Sequence, residues 1–430
     1  MGPSLTGSSH GFNYANDRWP SGQGCAEVTG ETQTLDGPRI LVVDDSEDNR
    51  YTLTLHLDLE GYRNIVAAQD GEEALAHLER GQFDLVLLDV VMPKIDGYEV
   101  LKVLKAQGKL HNIPVIMISA HSEMASVVRC IELGAVDYLI KPFDEVLLRA
   151  RIGASLEKKR LSDEVRTHLA RLQSELDAAR QLQMSMVPSM FPRPTQQNPV
   201  EIFASMEPAR EVGGDLYDFF YSDEGKLYFL VGDVSGKGMP AALFMARAKS
   251  LVRLAAELMR ASDGGPASPA DIVARVNREL CQDNTNLMFI TLFFATLAPD
   301  SGEVEYCNAG HNPPYHVNSE KLEPIKGANG IILGVQPDAA YASGRLTLAP
   351  GESIYVFTDG VTEAANSQDE MFSEGRLEAA LRGASGCSSV EMVKSVTAAL
   401  RGFVGSALHS DDITMLVIRR LDPSTMLCGM

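Results

Sequence analysis

The stretch FDLVLLDVVMPKIDG, residues 83–97, decides the fold of the N-terminal half of the chain. Its aliphatic core, residues 85–88, is typical of a strand that is buried on both faces, as in a parallel sheet. Four further short aliphatic segments, RILVV, NIVAA, IPVIMIS and VDYLI, alternate with helical patterns around it. These consecutive strand–helix units predict an α/β domain built on a five-stranded parallel sheet.

Chemically active side chains follow four of these strands. Asp44 and Asp45 follow the first, Asp89 the third, Ser119 the fourth and Lys141 the fifth. Because the carboxyl ends of parallel strands converge, we expect these side chains to line one crevice. The three carboxylates suit Mg²⁺, and the geometry would let Asp89 act as a phosphoacceptor while Lys141 and Ser119 bind phosphoryl oxygens. An isolated aspartate in such a position is usually a turn or helix cap, but the combination favours a site.

Residues 38–155 resemble the receiver domain of response regulators. The resemblance rests on VVDD, LLDVVMPKIDG, MISA and YLIKPF. It implies a flavodoxin-like receiver domain over residues 38–143, which takes a phosphoryl group on Asp89 from a histidine kinase or a phosphotransfer protein. It also implies that Ser119 and Tyr138 rearrange on phosphorylation and that the bond before Pro142 is cis.

A helical linker is predicted over residues 144–187, which hold no proline and no glycine after Gly153. Side chains that are apolar or small, apart from the polar Gln183, step by four and three residues within it, which is a heptad seam. The seam consists of Val165, Leu169, Leu172, Leu176, Ala179, Gln183 and Met186. A parallel homodimer through this helix is the favoured interpretation. Because so short a seam is marginal for a coiled coil, a helix that packs within its own chain remains the alternative.

Four prolines between residues 188 and 199 mark the start of a second domain, predicted over residues 188–421. Strand-like segments come first, followed by two long helical patterns and the hairpin FITLFFATLAPDSGEVEYCNAG. ESIYVFTDG, two more helices and the closing strand ITMLVIR complete the pattern. It predicts an α+β domain in which a β-sandwich is covered by helices.

Aspartates adjoin four strand-like segments of this second domain. They are Asp215 in EVGGDLYD, Asp233 in FLVGDVSGKG, Asp359 in YVFTDG, and Asp411 with Asp412 in HSDDIT. Carboxylates on neighbouring strands can hold two hard cations whose shared water attacks a phosphate ester. A single GD or DG pair is usually a turn, whereas the ordered set favours a two-metal hydrolase.

Residues 180–420, with the lead-in AARQLQMSMVP and the segment NAGHNPP, resemble the PPM-type serine/threonine protein phosphatases of the RsbU and SpoIIE-like branch. The resemblance implies two Mn²⁺ or Mg²⁺ ions, with Asp233 bridging them and the Val234 carbonyl as a further ligand. Asp359 and Asp411 would complete the ligand shells, and Asp215 would support one metal directly or through water.

Other residues receive weaker expectations from the same resemblance. Asp412 stands where related enzymes often have Asn, so we place it behind the ligands, together with Gly214, Asp218 and Glu363. His311 and Asn312 are interpreted as structural. The sequence GGDLY is similar to the GGDEF loop of diguanylate cyclases. The similarity ends at Asp215, however, and the downstream strands do not fit that class of enzyme.

The overall composition limits the classes of partner that we expect the chain to bind. The formal net charge of −20 argues against a nucleic-acid-binding or membrane-binding surface. No secretory signal or membrane-spanning segment is recognisable, and the six cysteines show no metal-type spacing. We therefore expect a cytoplasmic protein with free thiols. Residues 1–37 and 422–430 are expected to be tails, the first of them disordered.

Together these features predict a two-component response regulator in which phosphorylation of Asp89 controls a metal-dependent phosphoserine/phosphothreonine protein phosphatase. Within this branch, the implied substrate is a STAS-type anti-sigma-factor antagonist. The alternative is a phosphorylation-switched adaptor that binds a regulator without significant catalysis. The predicted stalk and tail suit an adaptor, but the complete set of acids argues against it.

Overall fold

The computed structural model describes residues 37–120, 124–142, 144–259, 267–407 and 409–422. The predicted N-terminal tail, apart from Gly37, and residues 423–430 of the predicted C-terminal tail lie outside this range. The chain divides between Thr167 and His168 into two units, each described by itself below. Within the described residues, no helix combines the length and apolarity needed to cross a membrane.

The first unit is a five-stranded parallel sheet in the order β2-β1-β3-β4-β5, as predicted. Its elements are β1 (Arg39–Val43), α1 (Glu47–Leu59), β2 (Asn64–Ala68), α2 (Gly71–Arg80), β3 (Leu85–Asp89), α3 (Gly97–Ala106), β4 (Val115–Ser119), α4 (Met124–Leu133), β5 (Asp137–Ile140) and the start of α5 (Glu145–Met186).

Side chains of the central strands are buried on both faces of this sheet. In β1, Ile40 and Val42 enter one hydrophobic cluster, whereas Leu41 and Val43 enter the other. The period of two in a strand explains this division, and helices cover both clusters. The aliphatic runs are therefore continuous rather than alternating, which is why the sequence predicts this sheet so directly.

Helix α5 has 42 residues and contributes to both units. Near its start, Leu148 and Ile152 are buried in the core of the first unit. The early part of the heptad seam is exposed within the chain, with relative exposures of 58% for Val165, 61% for Leu169 and 55% for Leu172. An exposed apolar seam is compatible with the predicted homodimer, which stays a prediction.

The second unit contains two sheets, in the orders β13-β10-β9-β8-β7 and β12-β11-β15-β16-β6, and β14 pairs with β10. Its elements after α5 are β6 (Val200–Glu207), β7 (Leu216–Tyr221), β8 (Leu227–Val234), α6 (Met239–Leu258), α7 (Pro269–Cys281), β9 (Ile290–Leu297), β10 (Glu303–Ala309), β11 (Tyr315–Val317), β12 (Leu322–Pro324), β13 (Asn329–Gly330), β14 (Gly344–Thr347), β15 (Ser353–Phe357), α8 (Asp359–Glu363), α9 (Ser373–Gly383), α10 (Ser389–Val404) and β16 (Ile413–Arg420).

Three hydrophobic clusters show how these elements are layered. One lies between the first sheet and helices α6 and α7, a second lies between the two sheets, and a third lies between the second sheet and helices α9 and α10. In β8, Leu230 and Val234 face the helices, whereas Phe229 and Val231 face the other sheet. The predicted sandwich covered by helices is confirmed, and so is the β9–β10 hairpin.

Candidate functional site

The first unit brings three predicted acids together at the carboxyl end of its sheet. Carboxylate oxygens of Asp44, Asp45 and Asp89 all lie within 4.8 Å of one another, and no other such trio of acids, histidines or cysteines occurs among the described residues. Lys141 Nζ lies 2.6 Å from Asp44 Oδ2 and 3.1 Å from Asp89 Oδ2. The predicted crevice therefore exists, and the ammonium group of Lys141 lies among its carboxylates.

Electrostatics make this centre suitable for a cation and for an incoming anion. Burial raises the pKa of Asp89; Lys141 opposes the rise and Asp44 adds to it. Burial alone would lower the pKa of Lys141, but its bonds to the two aspartates raise it above the ordinary value. Lys141 is therefore a fixed positive charge beside Asp89. The donor set consists of oxygen atoms alone, which is the chemistry that Mg²⁺ prefers.

Ser119 and Tyr138 lie on the two strands next to this centre. Ser119 ends β4, the strand that pairs with β3, and is buried. Tyr138 in β5 is buried in the hydrophobic cluster under α3 and α4. The peptide bond between Lys141 and Pro142 is cis, as the receiver resemblance implies.

Sequence reasoning missed two supports of Asp44 in the first turns of α1. Asn49 Nδ2 donates to Asp44 Oδ1 at 3.0 Å, and Arg50 Nη1 donates to the Asp44 carbonyl at 2.8 Å. The N-cap of α1 is Ser46, whose backbone N–H also donates to Asp44 Oδ1. The capping pattern that begins at Ser46 could have indicated that side chains at the start of α1 turn back towards the strand end.

In the second unit, strand periodicity carries the predicted acids to one end of the space between the sheets. Asp215 precedes β7 and Asp233 lies near the end of β8, with the same alternation as the side chains that face the second sheet. Asp411 and Asp412 precede β16 in that second sheet, and Asp359 follows its neighbour β15. Thr358 joins the sheets, because its Oγ1 donates to Asp215 Oδ2 at 2.8 Å.

No three of these carboxylates come within 4.8 Å of one another as the receiver acids do, but they lie near enough to perturb one another electrostatically. Burial and the charges of Asp359, Asp411 and Asp412 raise the pKa of Asp233 to about 7. Burial and Asp233 raise the pKa of Asp215 well above its ordinary value. Such mutual repulsion is what bound cations relieve, so the all-oxygen donor set fits hard divalent metals.

Asp359 belongs to the same cluster. Burial raises its pKa, and the nearby charges of Glu363 and Asp411 contribute to the rise. Among the described ion pairs, the one that reaches this cluster joins Lys237 Nζ to Asp411 Oδ2 at 2.8 Å. Lys237 lies in the glycine-flanked segment between β8 and α6, and its contact was not foreseen from the sequence. Glu363 ends α8, and the indirect role expected for it at the metals stays a prediction.

The carboxylate of Asp412 accepts hydrogen bonds from the backbone of two other segments. Its Oδ2 accepts from Gly214 N at 2.6 Å, and its Oδ1 accepts from Ala209 N at 2.8 Å. A Cβ at Gly213 would lie 2.1 Å from Asp412 Oδ2, and one at Gly214 would lie 2.7 Å from the Val234 carbonyl oxygen. Glycine is therefore required for this segment to approach both Asp412 and the predicted carbonyl ligand.

Asp218 is not part of the acidic cluster. It lies three residues after Asp215, and the period of two in a strand turns it to the opposite face of β7. There its buried carboxylate accepts hydrogen bonds from Lys249 at 2.7 Å and from Arg253 at 2.5 and 2.8 Å, both on α6. The sequence predicts that Asp218 supports the metal ligands. In the structure, Asp218 instead links α6 to the sheet through these hydrogen bonds.

His311 is buried behind the cluster. Its Nδ1 lies 2.9 Å from the hydroxyl of Thr291, which is the residue opposite Asp233 on β9. Asn308 fixes its backbone through hydrogen bonds to both the N–H and the carbonyl of His311. Burial lowers the pKa of His311 to about 4, so the ring is neutral at pH 7. These contacts agree with a structural interpretation of His311.

The two folds and their acidic centres define a receiver domain joined to a SpoIIE-type phosphatase domain. The family described as "Response regulator receiver domain" matches residues 40–153, and the family described as "Stage II sporulation protein E (SpoIIE)" matches residues 223–421. The chain belongs to the family of SpoIIE-type phosphatases, and it carries a response-regulator receiver domain in addition.

Known relatives agree with this assignment. The chain is 30% identical to "Phosphoserine phosphatase RsbU" of Bacillus subtilis over 250 residues, which are 58% of this chain and 71% of RsbU. It is 31% identical to "Protein IcfG" of Synechocystis sp. over 283 residues, 61% of this chain, but it spans only 44% of IcfG. The SiaA-PP2C domain of Pseudomonas aeruginosa shares the fold of the second unit, with a TM-score of 0.50, 22% identity, and coverage of 59% of this chain and 99% of that domain.

Proposed function

We propose that this chain is a response regulator whose C-terminal domain hydrolyses phosphoserine or phosphothreonine on a partner protein under the control of Asp89. The observation that carries the proposal is the cluster of Asp215, Asp233, Asp359 and Asp411, in which the pKa of Asp233 is raised to about 7. A domain that served only as an adaptor would have no need to keep such mutually repelling acids together. The phosphatase activity named for RsbU points the same way.

The proposed metal site would hold two Mn²⁺ or Mg²⁺ ions. Asp233 would bridge them, the Val234 carbonyl would add a ligand, and Asp215, Asp359 and Asp411 would complete the set. When bound, the metals would supply an acidified water and positive charge for the phosphate oxygens. Asp412 orients the Gly214 segment by accepting its N–H, and Thr358 orients Asp215.

In the receiver, we propose that Asp89 accepts the phosphoryl group from a histidine kinase or phosphotransfer protein. A carboxylate oxygen of Asp89 forms the new bond to phosphorus as the donor's bond to phosphorus breaks. Lys141 supplies a fixed positive charge for the phosphoryl oxygens, and Asp44 and Asp45 with Asp89 would hold Mg²⁺. Ser119 and Tyr138 are the proposed switch residues beside it.

The substrate that we propose is the phosphorylated form of a STAS-type anti-sigma-factor antagonist. The support is the similarity to RsbU over 71% of that protein. A synthetic phosphoserine peptide and a phosphorylated STAS protein would separate general from specific phosphatase activity.

The experiment is Mn²⁺-dependent hydrolysis of a phosphoserine protein by wild type, Asp89→Ala and Asp233→Asn, with and without acetyl phosphate. We expect Asp233→Asn to abolish hydrolysis, and Asp89→Ala to abolish any response to acetyl phosphate while it retains basal hydrolysis. Absence of metal-dependent hydrolysis in wild type, together with donor-dependent binding of a protein partner, would support the adaptor instead.

A further inference from the structure

Gln183, near the end of α5, makes a buried two-point contact with the segment that carries Asp215. Its side chain is only 4% exposed. Its Nε2 donates to the Gly213 carbonyl at 2.6 Å, and its Oε1 accepts from the Gly213 N–H at 3.1 Å. The amide therefore satisfies both polar groups of one glycine, as a neighbouring strand would.

The next residues of this segment belong to the acidic cluster. Gly214 donates to Asp412, and Asp215 accepts from Thr358. Gly213 itself admits no side chain, since a Cβ there would meet the Asp412 carboxylate. The peptide groups of residues 213–215 are thus held from one side by the linker helix and from the other by the second sheet.

Neighbouring contacts fix the end of the helix around Gln183. Val187 is buried in the cluster between the two sheets, and Met184 packs against the same cluster. The Tyr217 hydroxyl donates to the Pro188 carbonyl at 2.6 Å. The amide of Gln183 consequently has little freedom to move away from Gly213 while α5 stays in place.

We propose that Gln183 is a positioning residue for the metal-binding segment: it sets the place of Asp215 through the Gly213 backbone, and thereby the affinity of the phosphatase centre for its metals. This inference rests on the proposed function of that centre. The Gln183 side chain forms its hydrogen bonds within its own chain, so its role differs from that of a coiled-coil seam residue, which contacts a partner helix.

The test compares Gln183→Met with the control Gln181→Met in the full-length chain. Methionine keeps the length of the side chain but removes both hydrogen bonds, whereas Gln181 is exposed on the same helix turn. Both are made in an Asp45→Ala background, which removes a receiver carboxylate so that Mn²⁺ binding reports the phosphatase centre. Binding is measured by calorimetry, and hydrolysis of a phosphoserine peptide is measured over a Mn²⁺ titration.

We expect Gln183→Met to weaken Mn²⁺ binding by about tenfold, since two buried backbone groups lose their partner. Its kcat should return to within about twofold of the control at saturating Mn²⁺, because no group that touches substrate is changed. Circular dichroism should show that both variants are folded. Equal Mn²⁺ affinity in the two variants would overturn the proposal, and so would a kcat loss that saturating Mn²⁺ does not restore.

Failure of the proposed function would look different. If the chain does not hydrolyse phosphoserine, the calorimetric comparison still reports whether Gln183 sets metal affinity. If hydrolysis is robust and the affinities are equal, only the role of Gln183 is wrong.

Discussion

Asp412 and Gly214 are joined across the two sheets of the phosphatase domain by a hydrogen bond of 2.6 Å from Gly214 N to Asp412 Oδ2. The other oxygen of Asp412 accepts from Ala209 N at 2.8 Å. The adjacent Asp411 makes no such bond to that segment; its carboxylate instead pairs with Lys237 at 2.8 Å. Of these two neighbouring aspartates, Asp412 binds backbone N–H groups, whereas Asp411 is the one that we propose as a metal ligand.

This division predicts that two adjacent substitutions affect different properties, one the stability of the fold and the other the binding of metal. Asp412→Ala leaves the Gly214 and Ala209 N–H groups without their acceptor and should lower the free energy of unfolding by about 3 kcal/mol. Asp411→Ala should leave that free energy within about 1 kcal/mol, since its side chain is partly exposed, but should abolish tight Mn²⁺ binding. Urea unfolding and Mn²⁺ calorimetry measure the two effects. Equal unfolding midpoints for the two variants would contradict the assignment.

The raised pKa of Asp233 predicts how metal binding depends on pH. Its folded-state pKa of about 7 lies well above the ordinary value of an aspartate side chain. Without metal, the protonated group therefore contributes stability at low pH that is lost as pH rises through about 4 to 7. Metal needs the ionised form, so its affinity should increase over the same interval.

The measurement is the rise in Tm caused by saturating Mn²⁺ at pH 6 and at pH 8. We expect a larger rise at pH 8, because metal-free protein has lost the stabilising proton there and metal no longer competes with it. Asp233→Asn is the control, since it removes the titrating group and should remove most of the difference. A rise that is larger at pH 6 in wild type would refute the interpretation.

In the receiver, the contacts of Lys141 predict that its substitution lowers both the phosphorylation of Asp89 and the stability of the domain. It is the cation that contacts both Asp44 and Asp89, at 2.6 and 3.1 Å. Lys141→Met should therefore leave two buried carboxylates without their counter-charge and lower the stability of the metal-free receiver by about 3 kcal/mol. Phosphorylation of Asp89 by acetyl phosphate, read on a phosphate-affinity gel, should fall at least tenfold.

Lys102→Met is the matched control, because among the described residues Lys102 pairs with Glu99 on α3 alone, and this ion pair is exposed. Such pairs contribute little, so its phosphorylation and stability should match wild type. Normal phosphorylation of Lys141→Met would rule out the role assigned to this lysine.

The sequence was sufficient for features that depend on short-range pattern. The continuous aliphatic strands predict the parallel sheet, and the residues that follow them, Asp44, Asp89 and Lys141, meet as parallel topology requires. The sequence also predicts that Asp215 and Asp233 belong to one acidic centre, and the structure places them near enough for the charge of Asp233 to raise the pKa of Asp215. These predictions succeed because strand period and strand-end convergence are local rules.

Roles that depend on packing between distant segments were not accessible. Thr358 lies within the quoted segment YVFTDG, but nothing in that segment indicates that its hydroxyl binds Asp215, which is 143 positions away in the chain. Gln183 fits the heptad seam, but periodicity identifies a buried helix face without saying what covers it. The structure shows that Gly213, 30 residues away, covers Gln183.

The sequence itself contains the physical reason why Asp218 does not lie beside Asp215 in the acidic cluster. A separation of three residues along a strand puts Asp215 and Asp218 on opposite faces, so both cannot serve one centre. Asp218→Asn should therefore destabilise the fold, because the buried ammonium of Lys249 and the guanidinium of Arg253 lose their carboxylate. We expect a loss of about 3 kcal/mol in the free energy of unfolding.

Asp215→Asn is the matched variant three positions away. It removes one of several mutually repelling acids, so metal-free stability should be retained or should increase, while Mn²⁺ binding weakens sharply. Asp218→Asn should instead bind Mn²⁺ with wild-type affinity at temperatures where it is folded. Chemical unfolding and Mn²⁺ calorimetry of both variants decide the matter: if Asp218→Asn loses metal binding while its stability is unchanged, the side chain acts at the metal centre after all.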